Sequence, residues 1–347
     1  MSKNKTTPHI LAYFDILGYK QIINRSDHDD NEFIEGIKSI IEDVFSAKQL
    51  TKNAKPKVYT FSDNFIICLE ETPMMNKHKI LNYLITALQK IQIFAIFDYD
   101  IFIRGCIVEG LIYANRNFIY GKGMIDAYKL ENEVAIYPRI IIQKKLIESV
   151  LDEVQSTYNI LKKDWDISET RIISIENFHY ILKETLLNIE KEHNVELFDE
   201  EEKKDRNPGV SIYLNSPRIY LDFDGQYYTN YLEYMRFWAS MEEVTPEMFH
   251  DYFFRYGSKI CSKLKHYEYN EKVYSKYFWC YQKFIDFIDS LNEWWYLDKK
   301  TLQEVQKLPF FMETLLKEDE DDELNDLDEY LDDLFFDDED EFENEDK

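Results

Sequence analysis

Two aspartates and an arginine stand out because each interrupts an apolar run. Asp15 follows the strand-like "LAYF" in "LAYFDILGYKQI", ahead of a turn at Gly18 and the start of a helix. Asp63 occupies a tight polar turn between two apolar strands in "KVYTFSDNFII", and Arg104 lies mid-strand in "IFIRGCIVEG". Charged groups in such places are costly to bury without partners. Two carboxylates at adjacent strand ends can hold two divalent cations, because hard oxygen ligands suit Mg²⁺ and Mn²⁺ and leave positions for substrate phosphates. That chemistry requires the two strand ends to converge. The plainer alternatives are that Asp15 caps the following helix, that Asp63 sits in an Asx turn, and that Arg104 pairs with an acid such as Glu109. The glycine turn in "ILGYK" can present backbone N–H groups to an anion at a helix start.

The elements that must position these residues can be read from hydrophobic periodicity. Strands are expected in "HILAYFDI", "KVYTFSDNFIICLE" and "IFIRGCIVEGLIYA". Helical spacing recurs in "NEFIEGIKSIIEDVFSA", at Phe33, Ile34, Ile37, Ile40, Ile41 and Val44, and in "KILNYLITALQKIQIFAIF". A further helix follows in "GMIDAYKLENEV". The order is β-α-β-β-α-β, an α+β class, with residues 57–70 as a hairpin if the helices cover only one face of the sheet. Beyond about residue 146 the pattern loosens into "EKEHNVELFDEEEKKDRNPG", read as an exposed connection within an insertion over about 150–210. Strand signal returns in "SIYLNSPRIYLDFDGQYYTNYL", where "DFDG" is a turn between aromatic-rich runs. The expected organisation is one domain over 1–237, a helical aromatic-rich region over 238–315, and an acidic low-complexity tail over 316–347. That tail reads as disordered, although its leucines keep helical spacing.

Of the net charge of −26, the chain from Glu318 onward carries 19 acids against one lysine, which places −18 in the tail and leaves −8 for the body. A body without a basic face argues against nucleic-acid binding. Cys68, Cys106, Cys261 and Cys280 lack metal-binding or redox spacing and point to a reduced, cytoplasmic compartment. The N-terminus has no signal core, and no stretch is expected to span a membrane.

Four blocks, "FDILGY", "SDN", "RGCIVEG" and "YGKGMIDAYKLE", resemble in order and spacing the core blocks of the class III nucleotidyl cyclases over roughly residues 8–145. The resemblance implies a ferredoxin-like βαββαβ core with a helical C-terminal extension, and a two-metal cyclisation of a nucleoside triphosphate. Asp15 and Asp63 match the family's metal-binding aspartates, with the Ile16 carbonyl as a further ligand to two Mn²⁺ or Mg²⁺ ions. Leu17, Gly18 and Tyr19 match the triphosphate cradle, and Arg104 matches the arginine that contacts the triphosphate. Lys129 stands where the family has its transition-state arginine, and Ile125 where it has an asparagine; a one-residue shift of the helix would instead present Asp126.

Tyr59 and Phe118 fall where purine cyclases carry a base-reading lysine and aspartate. Two bulky aromatics remove that hydrogen-bond readout and narrow the pocket, favouring a pyrimidine whose edge the Tyr59 hydroxyl could meet; the alternative is that Tyr59 is a core aromatic. The pattern is similar to that of the bacterial Pycsar pyrimidine cyclases, which make cyclic UMP or cyclic CMP as an anti-phage signal for a separate effector. In this family the two sets of site residues come from different subunits, so a head-to-tail homodimer is implied. A purine cyclase and a catalytically silent cyclase-like module are the rival readings.

Overall fold

The structure, a computed structural model, describes residues 5–19, 36, 38–41, 56–73, 75–150, 152, 219–239, 246–291, 303 and 305–317. Most of the expected helix over 33–44, most of the insertion over 150–210, and the acidic tail from 318 lie outside the described residues.

Strand β1 (Thr7–Ile16) is the axis of the sheet. Its alternation sends Leu11 and Tyr13 to one face and Ile10, Ala12, Phe14 and Ile16 to the other, and both faces are buried. On one side β1 pairs antiparallel with β3 (Asn64–Glu70), which forms a hairpin with β2 (Lys57–Phe61) across the two-residue turn Ser62–Asp63. On the other side it pairs antiparallel with β4 (Ile103–Ala114). Beyond β4 come β6 (Ile140–Ile142), β8 (Tyr227–Thr229) and β7 (Ile219–Leu221), while β5 (Ile119–Gly121) folds back on β4. The result is a mixed α+β fold around an eight-stranded sheet of order β2-β3-β1-β4-β6-β8-β7. The expected 57–70 hairpin and the "DFDG" turn are both present.

Helices pack on both faces rather than one. Helix α1 (Lys77–Tyr99), capped by the Asn76 side chain, covers the face carrying Ile10, Ala12 and Phe14. By length and composition α1 could cross a membrane, which corrects the expectation that no stretch could. Its apolar residues are instead mostly buried against the sheet. The opposite face is covered by α2 (Lys122–Val134) together with the C-terminal helices α3 (Leu232–Ala239), α4 (Pro246–His266), α5 (Glu271–Ser290) and α6 (Leu308–Lys317).

Helix α2 lies unusually close to β4. A Cβ on Gly110 would come within 2.5 Å of the Gly123 Cα, so Gly110 has no room for a side chain at this crossing, while a Cβ on Gly123 would sit tightly, 3.0 Å from the Ile112 side chain and 3.2 Å from the Gly110 Cα. Gly123, Ala127 and Glu131, at successive four-residue steps, form its buried stripe.

Helix α5 is tied to the sheet through a buried charge cluster. Arg139, after α2, is fully buried, pairs with Asp222 and Asp224 of the β7–β8 turn, and lies 5.1 to 5.7 Å from the rings of Tyr137, Tyr228 and Trp279. From α5, Trp279 Nε1 donates to Asp222 at 2.8 Å and Lys283 Nζ lies 3.0 Å from it. Burial acts to raise the Asp222 carboxyl, but the Trp279 and Lys283 hydrogen bonds and Arg139 outweigh it and hold it below the usual range. Asp222→Ala leaves the buried Arg139 charge with Asp224 alone and should cost about 3–5 kcal/mol in urea unfolding. Because the native value is depressed, this carboxylate stabilises the fold above the unfolded value near 3.8 and loses that contribution as pH falls through the native value. Asp222→Asn should therefore flatten the acid limb of the stability curve.

Candidate functional site

Asp15 and Arg104 are direct cross-strand partners at the end of β1 and the start of β4. The guanidinium grips the carboxylate with two hydrogen bonds, Nε to Oδ1 and Nη2 to Oδ2, both at 2.9 Å. Nη2 also lies 3.0 Å from Glu131 Oε1, and Nη1 donates to the Ala135 carbonyl at 3.2 Å. Asp15 thus meets the β4 guanidinium rather than any helix start among the described residues. Nor is Glu109 the partner of Arg104: it lies farther along β4 and pairs with Lys77 at 2.7 Å and Lys145 at 3.0 Å.

Asp63 joins this group from the β2–β3 turn, where Ser62 adopts a positive φ of 57°. Asn64 Nδ2 donates to Asp63 at 3.0 Å, and Asn64 Oδ1 accepts the Tyr13 hydroxyl at 2.7 Å. Since Asn64 is also the cross-strand partner of Asp15, one residue links the turn to the end of β1. Asp63 lies within electrostatic range of Tyr13, Arg104 and Glu131. Burial, followed by Glu131 and Asp15, pushes the Tyr13 hydroxyl up to about 12.

Glu131 is the site residue that sequence reasoning missed. It ends the "YGKGMIDAYKLE" block, and its four-residue step from Gly123 and Ala127 was the available signal. Burial and then the Asp15 charge push its carboxyl up to about 7, against the opposing pull of Arg104. Among the described residues, no group of three or more His, Cys, Asp or Glu side chains is arranged to hold a metal ion. The sequence-predicted pair Asp15 and Asp63 is brought to one region, with Arg104 occupying both Asp15 oxygens.

The turn after β1 forms as expected, with Gly18 exposed at a φ of 79° and Tyr19 opening a helix. The Ile16 side chain is buried on the α1 face. Leu17 N–H already donates to the Phe102 carbonyl at 2.8 Å, so it is committed to holding the turn on β4.

Tyr59 and Phe118 meet at the β4–β5 turn. The Tyr59 hydroxyl donates to the Asn115 carbonyl and lies 3.5 Å from that of Phe118, while its ring packs partly buried on the core. Phe118 is 63% exposed and edge-on to Tyr120. On α2, Ile125 and Lys129 are exposed on the side away from the buried Glu131 stripe. Asp126 does not replace Ile125 near Asp15; it lines a separate cleft of about 310 Å³ with His9, Lys77, Glu109, Lys122 and Lys145. The four cysteines are free and buried.

No family model matches the chain, and no curated protein does. Among solved structures it is similar to the adenylyl cyclase CyaB from P. aeruginosa, at 12% identity over 43% of this chain and 82% of that one, with a TM-score of 0.33. At that distance the likeness adds nothing to what the side chains themselves provide.

The raised Glu131 value has a definite consequence for stability. A carboxyl whose ionisation the fold disfavours lowers stability as pH rises from its ordinary value near 4.5 through about 7. Between pH 5 and 8, Glu131→Gln should gain stability relative to the parent protein by on the order of 1–3 kcal/mol, read from paired urea titrations. Arg104→Met, which leaves Asp15 and Glu131 facing each other, should lose stability over the same range.

Proposed function

We propose that this chain is a nucleotidyl cyclase of class III type, converting UTP or CTP to the 3′,5′-cyclic monophosphate with release of pyrophosphate. The observation that carries the reading is the gathering of Asp15, Asp63 and Arg104 at neighbouring strand ends. The antiparallel order β2-β3-β1-β4, with α1 crossing between β3 and β4, suits a ferredoxin-like core. The C-terminal helices are then an extension of that core.

Three carboxylates outnumber the single guanidinium among them, and burial followed by the Asp15 charge pushes Glu131 upward, so the donor chemistry fits divalent cations. Asp15, Asp63 and the Ile16 carbonyl would hold two Mn²⁺ or Mg²⁺ ions, which would supply activation of the ribose 3′-hydroxyl and neutralisation of the phosphates. Arg104, released from Asp15 in that state, would turn its guanidinium fork to a triphosphate oxygen. Exposed Gly18 offers backbone that a phosphate can approach closely. Tyr59 acts as a wall rather than a reader, because its hydroxyl is committed to Asn115. With Phe118 it narrows the base site, which favours a pyrimidine. As in the Pycsar cyclases it resembles, the product would serve in the cytoplasm as an anti-phage signal for a separate effector.

Lys129, exposed and on the far side of α2 from its own acids, would serve the partner subunit by neutralising charge at the α-phosphate. Val58, Phe61, Leu111, Phe118, Ile125 and Tyr128 are exposed large apolar side chains on β2, β4, the β4–β5 turn and α2, surfaces that a second copy packed head to tail would cover. The silent-module reading draws on one observation, the hold of Arg104 on both Asp15 oxygens.

Incubation with each of ATP, GTP, CTP and UTP plus Mn²⁺, followed by mass spectrometry, should yield cyclic UMP or cyclic CMP, absent in Asp63→Ala. Cyclic AMP or GMP as the main product would refute the pyrimidine assignment, and no cyclic product from any substrate would leave the silent module. Mixing inactive Asp63→Ala with inactive Lys129→Ala should restore activity to at most about a quarter of the parent level, since a head-to-tail heterodimer rebuilds one intact site of two. No restoration would overturn the shared-site dimer.

A further inference from the structure

Helix α5 reaches the same strand ends from the C-terminal region. Lys276, Trp279 and Lys283 are spaced three and four residues apart and so share one side of the helix, and Trp279 and Lys283 both meet Asp222. Two ring contacts locate the turn that carries Lys276. Tyr277 packs edge-on against Phe102 at 5.3 Å, and the Phe102 carbonyl holds the Leu17 N–H beside Gly18. Trp279 stacks on Tyr137 at 5.8 Å, two residues beyond Ala135, whose carbonyl accepts from Arg104. These contacts set the turn of α5 that carries Lys276 beside the segments holding Leu17 and Ala135, with Lys276 in electrostatic range of Arg104 and Asp15.

Lys276 is half-buried, and among the described residues no hydrogen bond or ion pair reaches its ammonium. Burial, then Arg104 and Lys272, hold it below the ordinary lysine range, with Asp15 as the opposing anion. Asp15 is already committed to Arg104. Lys276 thus stands at the rim of this acidic cluster without an anion of its own among the described residues, and can meet an incoming anion of high charge as a point charge with three donors.

We infer that Lys276 is a substrate-binding residue that contacts the phosphates of a nucleoside triphosphate seated over the Gly18 turn, so that the C-terminal helical region completes the site. Naming the nucleotide rests on the cyclase reading; the polyphosphate contact does not.

The test uses the full chain and calorimetric titration with tripolyphosphate in the presence of Mg²⁺, beside urea unfolding without ligand. Lys276→Gln and Lys276→Met, the latter keeping an apolar stem, should weaken binding about tenfold, the loss of one charge-assisted hydrogen bond, with unfolding midpoints unchanged or raised. Lys276→Arg should retain most of the affinity, and Lys272→Gln, exposed one turn earlier, should match the parent protein. Parent-level affinity in both neutral Lys276 variants, or no tripolyphosphate binding by the parent protein, overturns the inference. Lys276-dependent binding without any cyclic product keeps the anion contact and removes the cyclase reading. Normal cyclisation with an unchanged KM in Lys276→Gln does the reverse.

Discussion

One guanidinium holds the functional end of this molecule together. Arg104 faces two half- or fully buried acids, Asp15 and Glu131, with Asp63 within electrostatic range, so the local charge is negative even after pairing. Burial raises the energy of ionising Glu131, and the neighbouring Asp15 charge raises it further against the pull of Arg104. The Asp15–Arg104 register in the β1–β4 ladder fixes where the guanidinium stands, and the other groups are arranged around it. A site built this way is one cation short of balance, which distinguishes it from a structural salt bridge that is complete in itself.

The approach of Glu131 depends on what is absent beneath α2. Gly110 and Gly123 let the helix backbone settle on β4, and Ala127 continues the shallow stripe, so the next residue at that spacing is delivered to Arg104. The same rotation of the helix turns Ile125 and Lys129 outward. One helix therefore supplies its own chain with a carboxylate and leaves a lysine for something outside that chain. The glycine contact carries this division, because a side chain at Gly110 would meet the α2 backbone and push the helix that delivers Glu131 away from β4.

Much of the sheet was legible in the sequence because its strands are long, apolar and bounded by recognisable turns at Gly18, Ser62–Asp63 and "DFDG". Asp15, Asp63 and Arg104 were legible as a group because each breaks an apolar run. What local pattern could not supply was pairing at distance. Arg104 could be assigned Glu109 because both lie on β4, yet side chains two residues apart share a strand face whereas five residues apart do not, and the register with β1 instead gives it Asp15. The cover on the second face was missed for the same reason, since nothing near the aromatic residues of α4 and α5 states which surface they meet. The composition of α1 has the same ambiguity, because an apolar stripe wide enough to fill a core can equal a membrane span in composition.

The Arg139 cluster gives the C-terminal helices a part in the site rather than beside it. A buried arginine held by two aspartates and three aromatic rings is a poor choice for stability alone, since a well-packed apolar group of similar volume often serves as well. Directional hydrogen bonds from Trp279 and Lys283 to one Asp222 carboxylate do what apolar packing does not: they fix the rotation and the height of α5 against the sheet. With those two coordinates set, the residue one turn earlier is set as well. The lock formed at Trp279 and Lys283 sets the turn that carries Lys276, an ammonium with no partner among the described residues, within electrostatic range of Asp15 and Arg104.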